Sequence, residues 1–105
     1  MKIKEVMDAI ETVNKVKDTL GQQKAYLLVY VDEHCLETSS GTGNFTNLKD
    51  LTTTLNHEYV EDFSTQILSA DYEVASAGSS WIKTEISDTL YGKERPHNVE
   101  ILIIF

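Results

Sequence analysis

Ala25-Tyr26-Leu27-Leu28-Val29-Tyr30-Val31 is apolar or aromatic at every position. Its length and its β-branched and aromatic content suit a strand rather than a helix. A strand with one wet face would alternate, and this one does not, so it is expected in the middle of a sheet and covered on both faces or nearly so. A second segment has the same character. In Val99-Glu100-Ile101-Leu102-Ile103-Ile104-Phe105, the side chains of Val99, Ile101, Ile103 and Phe105 point one way and those of Leu102 and Ile104 the other. The two strands are expected to lie side by side. Should the second face of their sheet prove apolar, another copy of the chain would be its simplest cover, so a homodimer is among the expectations.

Around these strands the pattern is helical. Ile3, Val6, Met7, Ile10, Val13, Val16 and Leu20 recur at steps of three and four, which predicts an amphipathic helix over 3–20. Glu11 and Lys15 stand in the favourable i,i+4 order, and Gly21 falls where a left-handed C-terminal cap is wanted. A second helical pattern begins at Asn47. Leu48, Leu51 and Leu55 share one face while Tyr59, Val60, Phe63 and Ile67 share another, about a quarter turn away. One straight helix would bury both sets poorly, so a break is expected near Asn56-His57, just after three threonines, Thr52 to Thr54, that lower helix propensity.

Between the elements, Asp32-Glu33-His34 reads as a turn, Cys35 to Ser39 as a short returning strand and Gly41 to Asn44 as a loop. Tyr72 to Ser76 and Trp81 to Ile86 read as a hairpin around Gly78, with Trp81 in the core. Asp88 to His97, which holds the only proline, reads as a loop. The fold expected over 1–105 is one α+β domain: an N-terminal helix and a broken middle helix on a mostly antiparallel sheet of four or five strands, in two layers.

Composition narrows the function. The chain has 105 residues, of which 41% are hydrophobic, enough to bury somewhat over ~60% of its unfolded surface without crosslinks or metals. Cys35 is the only cysteine, so no disulfide forms within the chain and the cytoplasm is the expected compartment. The first residues mix acids with apolar side chains, unlike a signal peptide, and no run approaches the ~18 apolar residues of a membrane span. The net charge is −8, and residues 32–75 account for it, with nine carboxylates against Lys49 alone. Such a field repels nucleic acid and anionic lipid and attracts basic protein surfaces.

Motifs for catalysis or cofactor binding are weak. Gly41-Thr42-Gly43 lacks the spacing and the lysine of a phosphate loop. His34 and Cys35 are adjacent and so point to opposite faces of a strand, which removes them as a thiolate and imidazole pair. His57 with Glu61 and Glu58 with Asp62 are i,i+4 pairs, but a zinc site wants more ligands, and position 61 is not the histidine of an HExxH motif. No catalytic, metal or cofactor residue is assigned. On a helix beginning near His57, Glu58, Glu61 and Asp62 would form an acidic ridge opposite Tyr59, Val60, Phe63 and Ile67. Asp32, Glu33, Glu37 and Asp50 would extend it, and Tyr91, beside Gly92, is an exposed aromatic suited to an interface. The chain thus reads as a non-enzymatic interaction or regulatory protein that engages a basic partner through these residues, as an inhibitor would. A structural subunit of a larger assembly is the second reading. A small enzyme or ligand binder with a site near His57, His34 or His97 is the third.

Overall fold

The computed structural model describes residues 2–70 and 81–105, apart from the side chains of Trp81 and Leu90. Among these residues three helices, α1 (Ile3–Thr19), α2 (Leu48–Glu58) and α3 (Glu61–Ser69), lie on one face of an antiparallel sheet. Its strands are β1 (Tyr26–Val31), β2 (His34–Cys35), β3 (Trp81–Leu90) and β4 (Lys93–Ile104), in the order β2-β1-β4-β3. The two most apolar segments pair in the middle, Leu27 opposite Ile103, Val29 opposite Ile101 and Val31 opposite Val99.

These six side chains are buried against the helices, together with Ile82 and Ile86 of β3. From the helix layer, Ile3, Met7, Ile10, Leu51, Leu55, Phe63 and Ile67 reach complete burial. The alternate side chains Tyr26, Leu28, Tyr30, Leu102 and Ile104 face the other way and are half-buried. Phe105, expected on the covered face, is exposed just beyond the end of β4.

Helix α1 closes with a Schellman motif: Gln22 N donates to Lys17 O and Gly21 N to Asp18 O, with Gly21 at φ 69°. Its buried row runs Ile3, Val6, Met7, Ile10 and then Asn14. Val16 and Leu20, expected in the apolar stripe, are exposed instead. At ~100° per residue they drift roughly 140° and 100° from the centre of the buried row. Asn14 takes the core position because its amide completes the backbone of Ala25, accepting from the N–H at 2.7 Å and donating to the C=O at 2.9 Å. The helix is thereby tied to the start of β1.

Helix α2 is capped by Asn47, whose Oδ1 accepts from Asp50 N, while Glu11 Oε1 of α1 accepts from Leu48 N. The break before α3 falls at Tyr59 and Val60, both in extended backbone, slightly later than the expected Asn56-His57. Val60, expected in the core, is exposed at the N-cap of α3.

Asp88 to His97 is not a loop but the far half of a hairpin, with Tyr91 (φ 52°) and Gly92 (φ 73°) forming its two-residue turn. Pro96 is accommodated by its place in the ladder. It sits opposite Ser87, whose carbonyl accepts from Gln66 Nε2 of α3, and on the same side of β4 as Asn98, which bonds Asp32. The imide nitrogen of Pro96 therefore points past the end of β1, where no ladder bond is required. The expected strand over 72–76, its hairpin around Gly78 and the core position of the Trp81 side chain lie outside the described residues.

The outer edge of β1 is closed by the chain that follows it. Leu36 N donates to Val29 O, and Phe45 exchanges two backbone bonds with Leu27. In the loop between them, Gly43 passes so close that a Cβ would meet Cys35 Sγ at 3.1 Å and Leu28 Cδ2 at 3.4 Å.

Candidate interaction surface

The β1–β2 turn, the tip half of the β3–β4 hairpin and the α2–α3 junction meet at one end of the sheet. Asp32 and Glu33 form the two-residue turn with φ 50° and 68°, a conformation that L residues adopt at a cost and that Asp tolerates comparatively well. Asp32 offsets that cost through three interactions, two of its carboxylate and one of its backbone. Oδ1 accepts from Asn98 N at 2.9 Å, Oδ2 contacts His97 Nδ1 at 2.6 Å, and the Asp32 N–H donates to Asn98 O.

His97 continues the chain of charges inward. Its ring packs at 4.9 Å on Phe63, and Nε2 lies 3.3 Å from Asp88 Oδ2, close enough for an ion pair but not aligned as a hydrogen bond. Asp88, with its side chain only 4% exposed, is held across the hairpin by Arg95 through Nε at 2.8 Å and Nη2 at 2.6 Å. This fork is the bidentate geometry in which guanidinium and carboxylate pair best.

The electrostatic consequences follow from these contacts. The hydrogen bond to Asp32 raises the His97 pKa, against desolvation that lowers it, with the Asp88 charge adding to the rise. The Arg95 guanidinium holds Asp88 below the usual carboxylate range, and the His97 and Asn98 bonds do the same for Asp32. Tyr59, whose ring lies tilted against Phe63 with centroids 4.9 Å apart, has its pKa pushed upward by burial and then by the negative charges of Glu58 and Asp32.

Glu37, Thr38 and Ser39 of the loop after β2 form one wall of a groove of about 230 Å³, with Thr53, Thr54, His57 and Glu58 of α2 opposite. Its lining combines two carboxylates, which accept, four hydroxyls, which accept or donate, and His57, around an exposed surface that is more apolar than polar, as suits the alkyl stem and charged head of a long cationic side chain. Asp62 borders the same end of the molecule from α3, its Oδ2 accepting from Gln66 Nε2, which also donates to Ser87 O beside Asp88.

The single acidic ridge expected from Glu58, Glu61 and Asp62 on one helix is not formed. Glu58 is the last residue of α2, whereas Glu61 and Asp62 occupy the first turn of α3 beyond the extended Tyr59-Val60 link. The break lets two apolar sets about a quarter turn apart both turn to the core, and the acids divide with it. In the first turn of α3 the two carboxylates complement the helix dipole. Of the other expected residues, Glu33 and Glu37 are exposed near this end, and Tyr91 is 95% exposed at the hairpin tip. Asp50 lies in the first turn of α2, about 12 Å along the helix from Glu58.

The three histidines have separate roles in the structure: His34 is exposed on β2, His57 lines the groove and His97 is held in the carboxylate cluster. Among the described residues no three His, Cys, Asp or Glu side chains are grouped as a metal ion requires. The Asp32–His97 contact joins residues 65 apart, and no spacing rule flags such a pair. Its one local trace is an acidic dipeptide turning the chain directly after an apolar strand. No described helix is long and apolar enough to cross a membrane. Comparison of the chain with protein-family models, with curated proteins and with solved structures found no match.

Proposed function

We propose that this protein is a non-enzymatic interaction domain whose acidic end engages a basic surface on a protein partner. The observation that carries the reading is that Glu37, from the loop after β2, and Glu58, at the end of α2, line one groove together with four hydroxyl side chains. Asp32 and Glu58 both act on Tyr59, and Asp62 adjoins the Asp88 strand, so further negative charge stands beside the groove. Arg95 is taken up by Asp88, while Lys24 and Lys83 pair with Asp18 and Glu100. A lysine or arginine from the partner would enter the groove, with the surrounding acids steering the encounter. Where the partner uses the same basic surface to hold nucleic acid, occupation by this domain would inhibit it.

The test is binding of a lysine-rich peptide, and recovery of protein partners on the immobilised chain, at about 0.05 M and 0.3 M salt, between which the screening length falls by more than half. Glu37→Lys and Glu58→Lys are expected to weaken binding about tenfold or more, and Asp50→Lys, at the far end of α2, much less. Binding indifferent to salt and to both groove reversals would remove the proposal.

A further inference from the structure

We infer that His97 is a proton-operated latch for the Asp32-Glu33 turn: as imidazolium it fastens the turn to the β3–β4 hairpin, and as neutral imidazole it releases it. Three separate segments meet on this one ring. Asp32 Oδ2 of the turn stands 2.6 Å from Nδ1, Asp88 Oδ2 of β3 stands 3.3 Å from Nε2, and Phe63 of α3 packs on the ring with centroids 4.9 Å apart. Each ring nitrogen thus faces a carboxylate, and among the described residues the buried Nε2 has no aligned hydrogen-bond partner.

The number of protons on the ring decides whether this arrangement holds. The imidazolium has an N–H on both sides and serves both carboxylates. A neutral ring has one N–H, so whichever tautomer forms, a nitrogen lone pair is set against a carboxylate. The two carboxylates differ in their freedom to move. The Asp88 side chain is 4% exposed and fixed by the Arg95 fork. That of Asp32 is 51% exposed and belongs to a turn with φ 50° and 68°, followed by a strand of two residues. Loss of the proton therefore moves the turn and not the hairpin. The movement stops at Leu36, which is fully buried and whose N–H donates to Val29 O.

The groups around the ring leave its own proton as the variable. Asp32 and Asp88 have lowered pKa values and Arg95 and Tyr59 raised ones, so all four keep their charge state between about pH 5 and 9. The other charged or titratable side chains at this end are Glu33 in the turn, Glu58 at the end of α2, Asp62 of α3, which accepts from Gln66, and His34, exposed on β2.

Nuclear magnetic resonance of the full chain between about pH 5 and 9 tests this. It follows the His97 ring and the amides of Asp32, Glu33 and Asn98, in a His34→Gln background that removes the neighbouring imidazole. The amide signals should shift together with the ring. Exchange of the Asp32 and Asn98 amides, relative to the intrinsic rate, should rise about tenfold across the titration, while that of Leu36 stays unchanged. His97→Gln should abolish the transition. Asp32→Asn should keep the turn fastened throughout, because its amide can donate to Nδ1 while a neutral ring donates from Nε2 to Asp88. Turn amides that ignore the titration of the ring overturn the inference. So does a transition that survives in His97→Gln, or one that Asp32→Asn leaves as it is in the parent.

Discussion

Removing the Asn14 amide is expected to cost more than any exposed polar substitution in this chain. In Asn14→Ala two hydrogen bonds disappear, each with a net contribution of about 1 kcal/mol, and the N–H and C=O of Ala25 lose their partners. Ala25 is fully buried and Asn14 is 7% exposed, so water reaches these groups only by entering the space the amide leaves. A buried backbone group without a partner costs about 1–3 kcal/mol, and one admitted water would recover part of that for the pair. The expected loss is about 3 kcal/mol, a large fraction of the 5–15 kcal/mol typical of a domain but short of unfolding it. In urea, with a slope of about 2 kcal/mol/M, the midpoint should fall by ~1.5 M with the slope unchanged.

Asn14→Asp separates the two bonds. One carboxylate oxygen still accepts from Ala25 N–H, but the other faces the Ala25 carbonyl, so the ionised form is disfavoured in the folded state and the carboxyl titrates above its unfolded value. The variant should approach the parent below about pH 4 and fall away from it as the pH rises. A loss under ~0.5 kcal/mol for Asn14→Ala, or a gap between parent and Asn14→Asp that does not change with pH, would refute the argument that Asn14 acts through the Ala25 backbone.

Two further outcomes follow from the same contacts. His97 has a raised pKa, so its contribution to stability is complete below about pH 6.5 and is lost as the pH rises through its folded value; Asp32 and Asp88, with lowered pKa values, contribute above about pH 4 and lose that contribution in acid. Thermal melts should therefore show greatest stability at about pH 4.5–6 and a decline toward pH 8 that His97→Gln reduces; an equal decline in the variant would count against this account. Gly21→Ala adds a Cβ that meets nothing within 4 Å yet must hold φ 69°. Chemical denaturation should show a loss of about 1 kcal/mol from the left-handed conformation alone, and an unchanged midpoint would mean that the helix end rearranges freely.

Local pattern carried a large part of the fold. The unbroken apolar runs around Leu28 and Leu102 identified two interior strands, and the chain pairs them directly in the middle of the sheet. The Gly21 cap and the two misaligned faces flanking the α2–α3 break were legible for the same reason, since both depend on residues within a few turns of one another. Charge localisation was legible too, because it is a count along the chain.

What the tertiary structure alone decided are the matters in which distant residues meet. Asp88 to His97 reads as a loop until register shows that Pro96 faces the vacant side of β4 and needs no N–H. Val16 and Leu20 look like core residues until Asn14 claims the buried position by satisfying the backbone of Ala25. The acids that a single helix would have gathered at Glu58, Glu61 and Asp62 are divided by the break, while the pairing of β1 with β4 sets Asp32 against His97 and the loop after β2 brings Glu37 to the same groove as Glu58 of α2. Periodicity encodes which side of an element is apolar, a property of neighbouring residues. Which polar groups come to face one another is set by how those apolar sides are buried together, and that is a property of the whole chain.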